Sequence, residues 1–313
     1  METIYRWDVI GNRKLLLGLE QEIKDNNIVH AYLFAGPRQI GKHRLARTFA
    51  EILQCPNGYC RTCDTCRRIQ KRCHPDVIFM DDTGDSIKID EIRDLIQKTH
   101  LSVQGRYRII LIENIERMPI EAQNSFLKIL EEPPAKTVFI LTTSEIDQVL
   151  PTIQSRTRNY FLSTLDDDAI RRYLNEKFGE ISHLDDIVNM AQGRPGMAIR
   201  LAEGPELLEY QQSLYRQIER ILSENDVAGK IAYAEELEKE EGRIDQFLDA
   251  FIRYLRKLMY DYLDHPDAHP LRSRFSLENI VDLFESVQKT RYLMDRNVNK
   301  RLALENLMLK TEK

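Results

Sequence analysis

The stretch AYLFAGPRQIGKHRLARTFAEIL, residues 31–53, decides the fold. Ala31-Tyr32-Leu33-Phe34-Ala35 is an apolar run of strand length, ended by Gly36. GPRQIGKH, residues 36–43, then has the spacing GxxxxGK of a phosphate-binding loop. In such a loop Gly36 and Gly41 leave backbone N–H groups free to cradle phosphates, and Lys42 reaches the β and γ phosphates. From Gly41 onward Leu45, Ala46, Phe49, Ile52 and Leu53 recur at helical spacing. Strand, glycine loop and helix therefore stand in the order the loop requires. One position departs: the Ser or Thr hydroxyl that would hold Mg²⁺ is replaced by His43.

Outward from this core the pattern alternates. Asp76–Met80, RIILIEN (108–114), TVFILTT (137–143) and RNYFLST (158–164) have strand character. Between them lie amphipathic helical stretches, IDEIRDLIQKTHL (89–101) and IEAQNSFLKILEE (120–132), the second stopped by Pro133-Pro134. The alternation predicts a three-layer α/β domain with a parallel sheet over residues 1–163. Beyond Leu165 the strand signal disappears. Residues 164–204 predict a small helical domain of about three short helices, with the turn GRPG at 193–196. Residues 205–313 predict an all-helical domain of about five longer helices, interrupted by HPDAHPLRSR (265–274).

With 313 residues, 42% hydrophobic and 30% charged, the composition is that of a globular protein with a sizeable core. The longest apolar runs, such as Ile109–Ile112, fall far short of the roughly 18 residues of a membrane helix. The start METIYRWDVIGNRK lacks the basic, apolar and small-residue regions of a secretory signal, which places the chain in the cytoplasm. A formal net charge of −5 gives no general electrostatic drive toward nucleic acid.

All five cysteines lie between positions 55 and 73. Cys55, Cys60, Cys63 and Cys66, spaced C-x4-C-x2-C-x2-C, suit four thiolates around one structural Zn²⁺ better than disulfides in a reducing compartment. Cys73 is then a packed thiol outside a completed tetrahedron, and His74 is read the same way. The strand RIILI ends in Glu113-Asn114. Glu113 can hold a hydrated metal, but the Asn114 amide has no useful basicity. Together with His43 this leaves a loop shaped for phosphate and disabled for catalysis.

LKILEEPP (127–134), a strand ending in Thr142-Thr143, LPTIQSRT (150–157), the four-cysteine module at about 55–66 and NVNKRLALENLML (297–309) together resemble the clamp-loader branch of the AAA+ ATPases. More narrowly they resemble the bacterial DNA polymerase III subunits of the gamma/tau and delta-prime kinds, over the whole chain. The resemblance implies an AAA+ domain, a helical lid and a C-terminal collar that assembles with gamma/tau and delta subunits. The assembly places a sliding clamp on primer-template DNA. Members that hydrolyse ATP keep the loop hydroxyl, an acid pair and a lid arginine, where this chain has His43, Glu113-Asn114 and Gly196. Those departures imply the non-hydrolysing kind, which does not bind ATP and Mg²⁺ productively and whose Lys42 holds at most an adventitious anion.

Arg156, in Ser155-Arg156-Thr157, is implied to be an arginine finger offered to a neighbour's ATP site, with Thr157 where cysteine is common. Apart from the resemblance, an arginine there would as readily pair with a surface acid. The competing reading is a short gamma-like subunit that hydrolyses ATP itself, with Glu116 as base. Glu131-Glu132 are assigned to packing and subunit contacts, and the stripe FLDAFIRYLRKLMYDYL (247–263) to core or interface. The cysteine module either stiffens an exposed corner or forms a contact surface.

Overall fold

A computed structural model describes residues 5–81, 86–99, 102–239, 242–264, 271, 274–294 and 298–312. His100 and Leu101 of the helix expected over 89–101, most of 265–274, and Asn297 lie outside them. The chain divides into two compact units, Met1–Glu180 with Gly193–Ala198, and Ile181–Gln192 with Ile199–Lys313. The segment 164–204 is shared between them.

The first unit is built on five parallel strands, β1 (Ala31–Ala35), β2 (Val77–Met80), β3 (Arg108–Ile112), β4 (Thr137–Thr143) and β5 (Arg158–Phe161), in the order β2-β3-β4-β1-β5. Leu33 pairs with Leu141 of β4 on one side and with Asn159 of β5 on the other. β1, β3 and β4 are buried throughout, which explains their near-continuous apolar runs. Because successive side chains point to opposite faces, each strand feeds two cores. Tyr32, Phe34, Ile109, Leu111, Val138 and Ile140 meet α1 (Arg13–Lys24) and α2 (Lys42–Gln54). Leu33, Ile110, Ile112, Phe139 and Leu141 meet α4 (Ile89–Thr99) and α5 (Ile120–Glu131) on the other face. The result is the three-layer α/β sandwich expected from the alternation.

Neither α1 nor α3 (Asp64–Gln70), which lies inside the cysteine module, is anticipated by the sequence reading. α1 buries Leu15, Leu16, Leu19 and Glu20. Its Glu20 accepts hydrogen bonds from the Trp7 indole (2.8 Å) and the Tyr5 amide (2.9 Å). β3 stops at Ile112 rather than running on to Asn114, which adopts a left-handed backbone (φ +51°) that no strand continues. After β5 come α7 (Asp167–Phe178), capped by the Asp166 carboxylate on the Ala169 amide, then α8 (Leu184–Ala191) and α9 (Pro195–Glu203). The short α6 (Pro151–Gln154) precedes β5.

The second unit is helical, with α10 (Pro205–Ser223), α11 (Val227–Lys239), α12 (Arg243–Asp264), α13 (Leu277–Met294) and α14 (Lys300–Leu309) around one apolar core. Phe247, Leu248, Phe251, Leu255 and Leu258 of α12 are buried in that core, whereas Tyr260 and Leu263 are exposed. Lys230 of α11, buried, pairs with the Glu312 carboxylate. Among the described residues no helix is long and apolar enough to cross a membrane.

Asp76 stands just before β2, and its carboxylate ties the sheet to the segment ahead of β3. It accepts from the amides of Gln104 (3.0 Å) and Gly105 (2.6 Å) and from Arg108 Nη2 (2.8 Å). Both charged partners are buried. Removing one member of such a pair leaves an uncompensated charge. Asp76→Ala is therefore expected to destabilise the first unit by about 3–5 kcal/mol, measured by urea unfolding. Trp7, the single tryptophan, lies stacked on Phe49 in that unit and reports the transition by fluorescence.

Candidate functional site

The loop after β1 emerges at the carboxyl ends of the strands, where open parallel sheets present their binding residues. Gly36 has φ +155°, and a Cβ there would meet the Leu162 carbonyl at 2.7 Å, so the start of the loop passes too close to the chain after β5 for any side chain. Gly41, also at positive φ, is the N-cap of α2. Lys42 opens that helix and is 2% exposed. Its Nζ donates to the carbonyls of Gly36 (2.7 Å) and Pro37 (2.9 Å) and to Ser144 Oγ just past β4 (3.0 Å). All three donors of the ammonium are thereby committed to the chain's own atoms. Burial pushes the Lys42 pKa down to about 8, against the opposing attraction of Glu116. Glu116 Oε1 accepts the Ser144 amide at 2.9 Å, which fixes the residue that receives the lysine.

His43 Nδ1 lies 2.9 Å from Glu113 Oε1 at the end of β3. Arg47, one helical turn further along α2, places Nη2 3.4 Å from the same oxygen and 3.1 Å from Asp81 Oδ1. Arg72, beyond α3, also pairs with Asp81. The acid that the sequence offers to a hydrated metal is therefore faced by an imidazole and a guanidinium. Asn114, beside it, donates its amide to Thr142 Oγ1 at 3.0 Å.

The GRPG turn closes onto this loop. Gly196, in the first turn of α9, donates its amide to the Gln39 carbonyl at 2.9 Å, and a Cβ at that position would sit 2.6 Å from the same oxygen. No side chain fits there, arginine included. The backbone of α9 rests directly on the loop.

Arg156 belongs to a different cluster. Among the described residues its side chain contacts none of the loop groups. Nη1 donates to the Thr152 carbonyl (2.9 Å) and Nη2 to Glu131 Oε1 (2.7 Å) at the end of α5. The surrounding backbone is held by buried or half-buried amides. Gln123 of α5 accepts the Leu150 amide at 2.9 Å and donates to Met118 and Gln148 carbonyls. Gln154 donates to the carbonyls of Ile146 and Val149.

Cys55, Cys60, Cys63 and Cys66 come together with all four sulfurs within 4.8 Å of one another. The Cys55–Cys60 and Cys55–Cys63 separations are 3.8 and 3.9 Å. A tetrahedral ion with metal–sulfur distances of about 2.3 Å has edges of about 3.8 Å, whereas a disulfide needs about 2.05 Å. The donor set therefore fits one tetrahedral metal ion. Amides of Thr62 and Cys63 pull the Cys60 thiol down to about 5, while burial and the adjacent thiols push Cys66 up. Cys63 also caps α3 by accepting the Cys66 amide. Cys73 is exposed and stands outside the cluster rather than packed.

Residues 11–166 match the family described as DNA polymerase III, delta subunit. The tau/gamma subunit of DNA polymerase III from Haemophilus influenzae is 34% identical over 172 residues, covering 53% of this chain and 25% of the relative. The gamma subunit from Buchnera aphidicola is 32% identical over 175 residues, covering 54% and 48%. Residues 11–166 therefore form a DNA polymerase III delta-subunit-like domain, homologous to the gamma/tau clamp-loader subunits. The chain spans from a quarter to about half the length of these curated relatives. A gamma subunit-related protein from Thermotoga maritima shares the fold, with a TM-score of 0.52 at 18% identity, covering 94% of this chain and 98% of that one.

Within this clamp-loader domain, sequence reasoning located the loop, Glu113 and the four cysteines but not Ser144, Gln39 or the partner of Arg156. Arg47 was open to detection, because four residues after His43 it shares the same helix face. The Lys42–Ser144 and Arg156–Glu131 contacts join segments remote in sequence, and no spacing announces them.

Two outcomes follow. Cys63→Ser is expected to lower bound metal from one ion per chain to near zero and to reduce the melting temperature, read by metal analysis and calorimetry. For Lys42, the unfolded chain keeps its proton up to the ordinary value of 10.5 while the folded chain loses it at about 8. Between those values the unfolded state binds more protons, so stability from this group rises with pH. The difference in unfolding free energy between wild type and Lys42→Met is expected to increase by up to about 3 kcal/mol from pH 7.5 to 10.5, measured by urea unfolding.

Proposed function

We propose that this chain is a delta-prime-type, non-hydrolysing subunit of a bacterial DNA polymerase III clamp loader. One observation carries the reading: His43 occupies the hydroxyl position of the loop, and its Nδ1 at 2.9 Å and Arg47 Nη2 at 3.4 Å both face Glu113 Oε1, so the acid that would hold Mg²⁺ is lined by an imidazole and a guanidinium. The committed Lys42 ammonium and the direct seating of Gly196 on Gln39 support it. Glu116, the base of the competing motor reading, is engaged by the Ser144 amide.

In this role the AAA+ domain carries the lid (164–204), and the helices of 205–313 join a collar with gamma/tau and delta subunits. The assembly acts on the sliding clamp and primer-template DNA. The four thiolates hold zinc, which suits a closed set of four sulfur ligands and stiffens the module joined to the sheet through Arg72 and Asp81. Arg156 is presented to the ATP site of an adjacent subunit, where a guanidinium stabilises charge developing on the γ-phosphate.

The isolated chain is expected to show neither Mg²⁺-dependent ATP binding nor turnover in equilibrium dialysis and phosphate-release assays. In a loader reconstituted with gamma/tau, delta, clamp and primed DNA, Arg156→Ala is expected to remove the adjoining site's share of stimulated hydrolysis. At one site a trans arginine is worth about 10³–10⁵ in kcat. Turnover by the isolated chain that disappears with Lys42→Ala would establish the motor reading instead.

A further inference from the structure

We infer that Glu131 is a positioning residue that holds Arg156 at rest and releases it when the neighbouring site is loaded. This rests on the trans reading of Arg156. Both terminal nitrogens of the guanidinium are committed, Nη1 to the Thr152 carbonyl and Nη2 to Glu131 Oε1 at 2.7 Å. The backbone that carries Arg156 is fixed. Its amide donates to the Ile153 carbonyl (3.0 Å), and Thr157 Oγ1 donates back to the same carbonyl (3.1 Å). Gln154 and Gln123 pin the turns before it. What remains free to move is the side chain itself.

The strength of the hold suits a releasable contact. The side chains of Arg156 and Glu131 are 36% and 50% exposed. Ion pairs exposed to that degree shift a population by a factor of about two to five, not by orders of magnitude. A polyphosphate offers several charged acceptors to the same fork of donors and displaces one carboxylate readily. Glu131 is also the last residue of α5, where unpaired carbonyls leave a partial negative charge. That end of the helix attracts a cation, and the carboxylate adds direction. Gln123, two turns earlier on α5, holds the Leu150 amide, so one helix sets both the platform of Arg156 and its resting partner.

The test compares loaders reconstituted with wild-type chain, Glu131→Gln, Glu121→Gln in the first turn of α5 as a control of equal charge change, Arg156→Ala, and the Glu131→Gln/Arg156→Ala double variant. ATP hydrolysis is measured without and with clamp and primed DNA. The expected result is a two- to five-fold rise in unstimulated turnover for Glu131→Gln, with stimulated turnover unchanged and Glu121→Gln like wild type. The rise should vanish in the Arg156→Ala background, which separates release of the arginine from a general effect on the fold. An unchanged unstimulated rate, or an equal fall in both rates, overturns the holding role while Arg156→Ala still lowers stimulated turnover. If Arg156→Ala leaves stimulated turnover intact, the trans reading itself fails, and this inference with it.

Discussion

A buried ammonium has to be answered by acceptors, and at Lys42 the acceptors are the chain's own. Two carbonyls of the loop and one hydroxyl past β4 take its three donors, which leaves the lysine with nothing missing. The lysine's shell is made by Gly36, Pro37 and Ser144, and the rest of the site is arranged around it. Glu116 anchors Ser144, His43 and Arg47 meet Glu113, and α9 rests on Gln39 through a glycine. A phosphate-shaped loop is thus held in its shape by internal hydrogen bonds.

The sequence made the sheet legible because β1, β3 and β4 are buried on both faces and so are written as unbroken apolar runs. The cysteine centre was legible for a different reason: thiolate ligation fixes residue type and spacing together, and all four ligands lie within twelve consecutive residues. α1 escaped notice because it has only a narrow stripe, Leu15, Leu16 and Leu19, and its buried Glu20 reads as polar surface. That glutamate is buried because Trp7 and Tyr5 donate to it, a contact across a turn that periodicity does not register. His43, Asn114 and Gly196 were visible in the sequence as site positions. Their partners were not, since Gln39–Gly196 and Lys42–Ser144 exist only once the strands are in register.

α5 organises more than its amphipathic pattern suggests. Its apolar side, Ala122, Phe126, Ile129 and Leu130, fills the core beneath the sheet. Its polar residues act along the chain that follows: Gln123 receives the Leu150 amide, and Glu131 receives Arg156. Glu131-Glu132, read from sequence as serving packing and subunit contacts, therefore divide, with the first taking a specific partner. The double proline after them ends the helix, so that Glu131 stands in its last turn.

The chain contains the same chemical pair, carboxylate and guanidinium, in two settings that differ mainly in burial. Asp76 and Arg108 are withdrawn from water and surrounded by further donors and acceptors, the amides of Gln104 and Gly105 on one side and the Ser102 carbonyl on the other. Separating them would strand a charge in the interior, so that pair is permanent and serves the sheet. Glu131 and Arg156 meet at 2.7 Å as well, but at the surface, where water can replace either partner at small cost. Distance alone makes the two contacts look equivalent. The surrounding dielectric makes one a strut and the other a contact that water exchanges easily, and the second kind is what the trans role proposed for Arg156 requires.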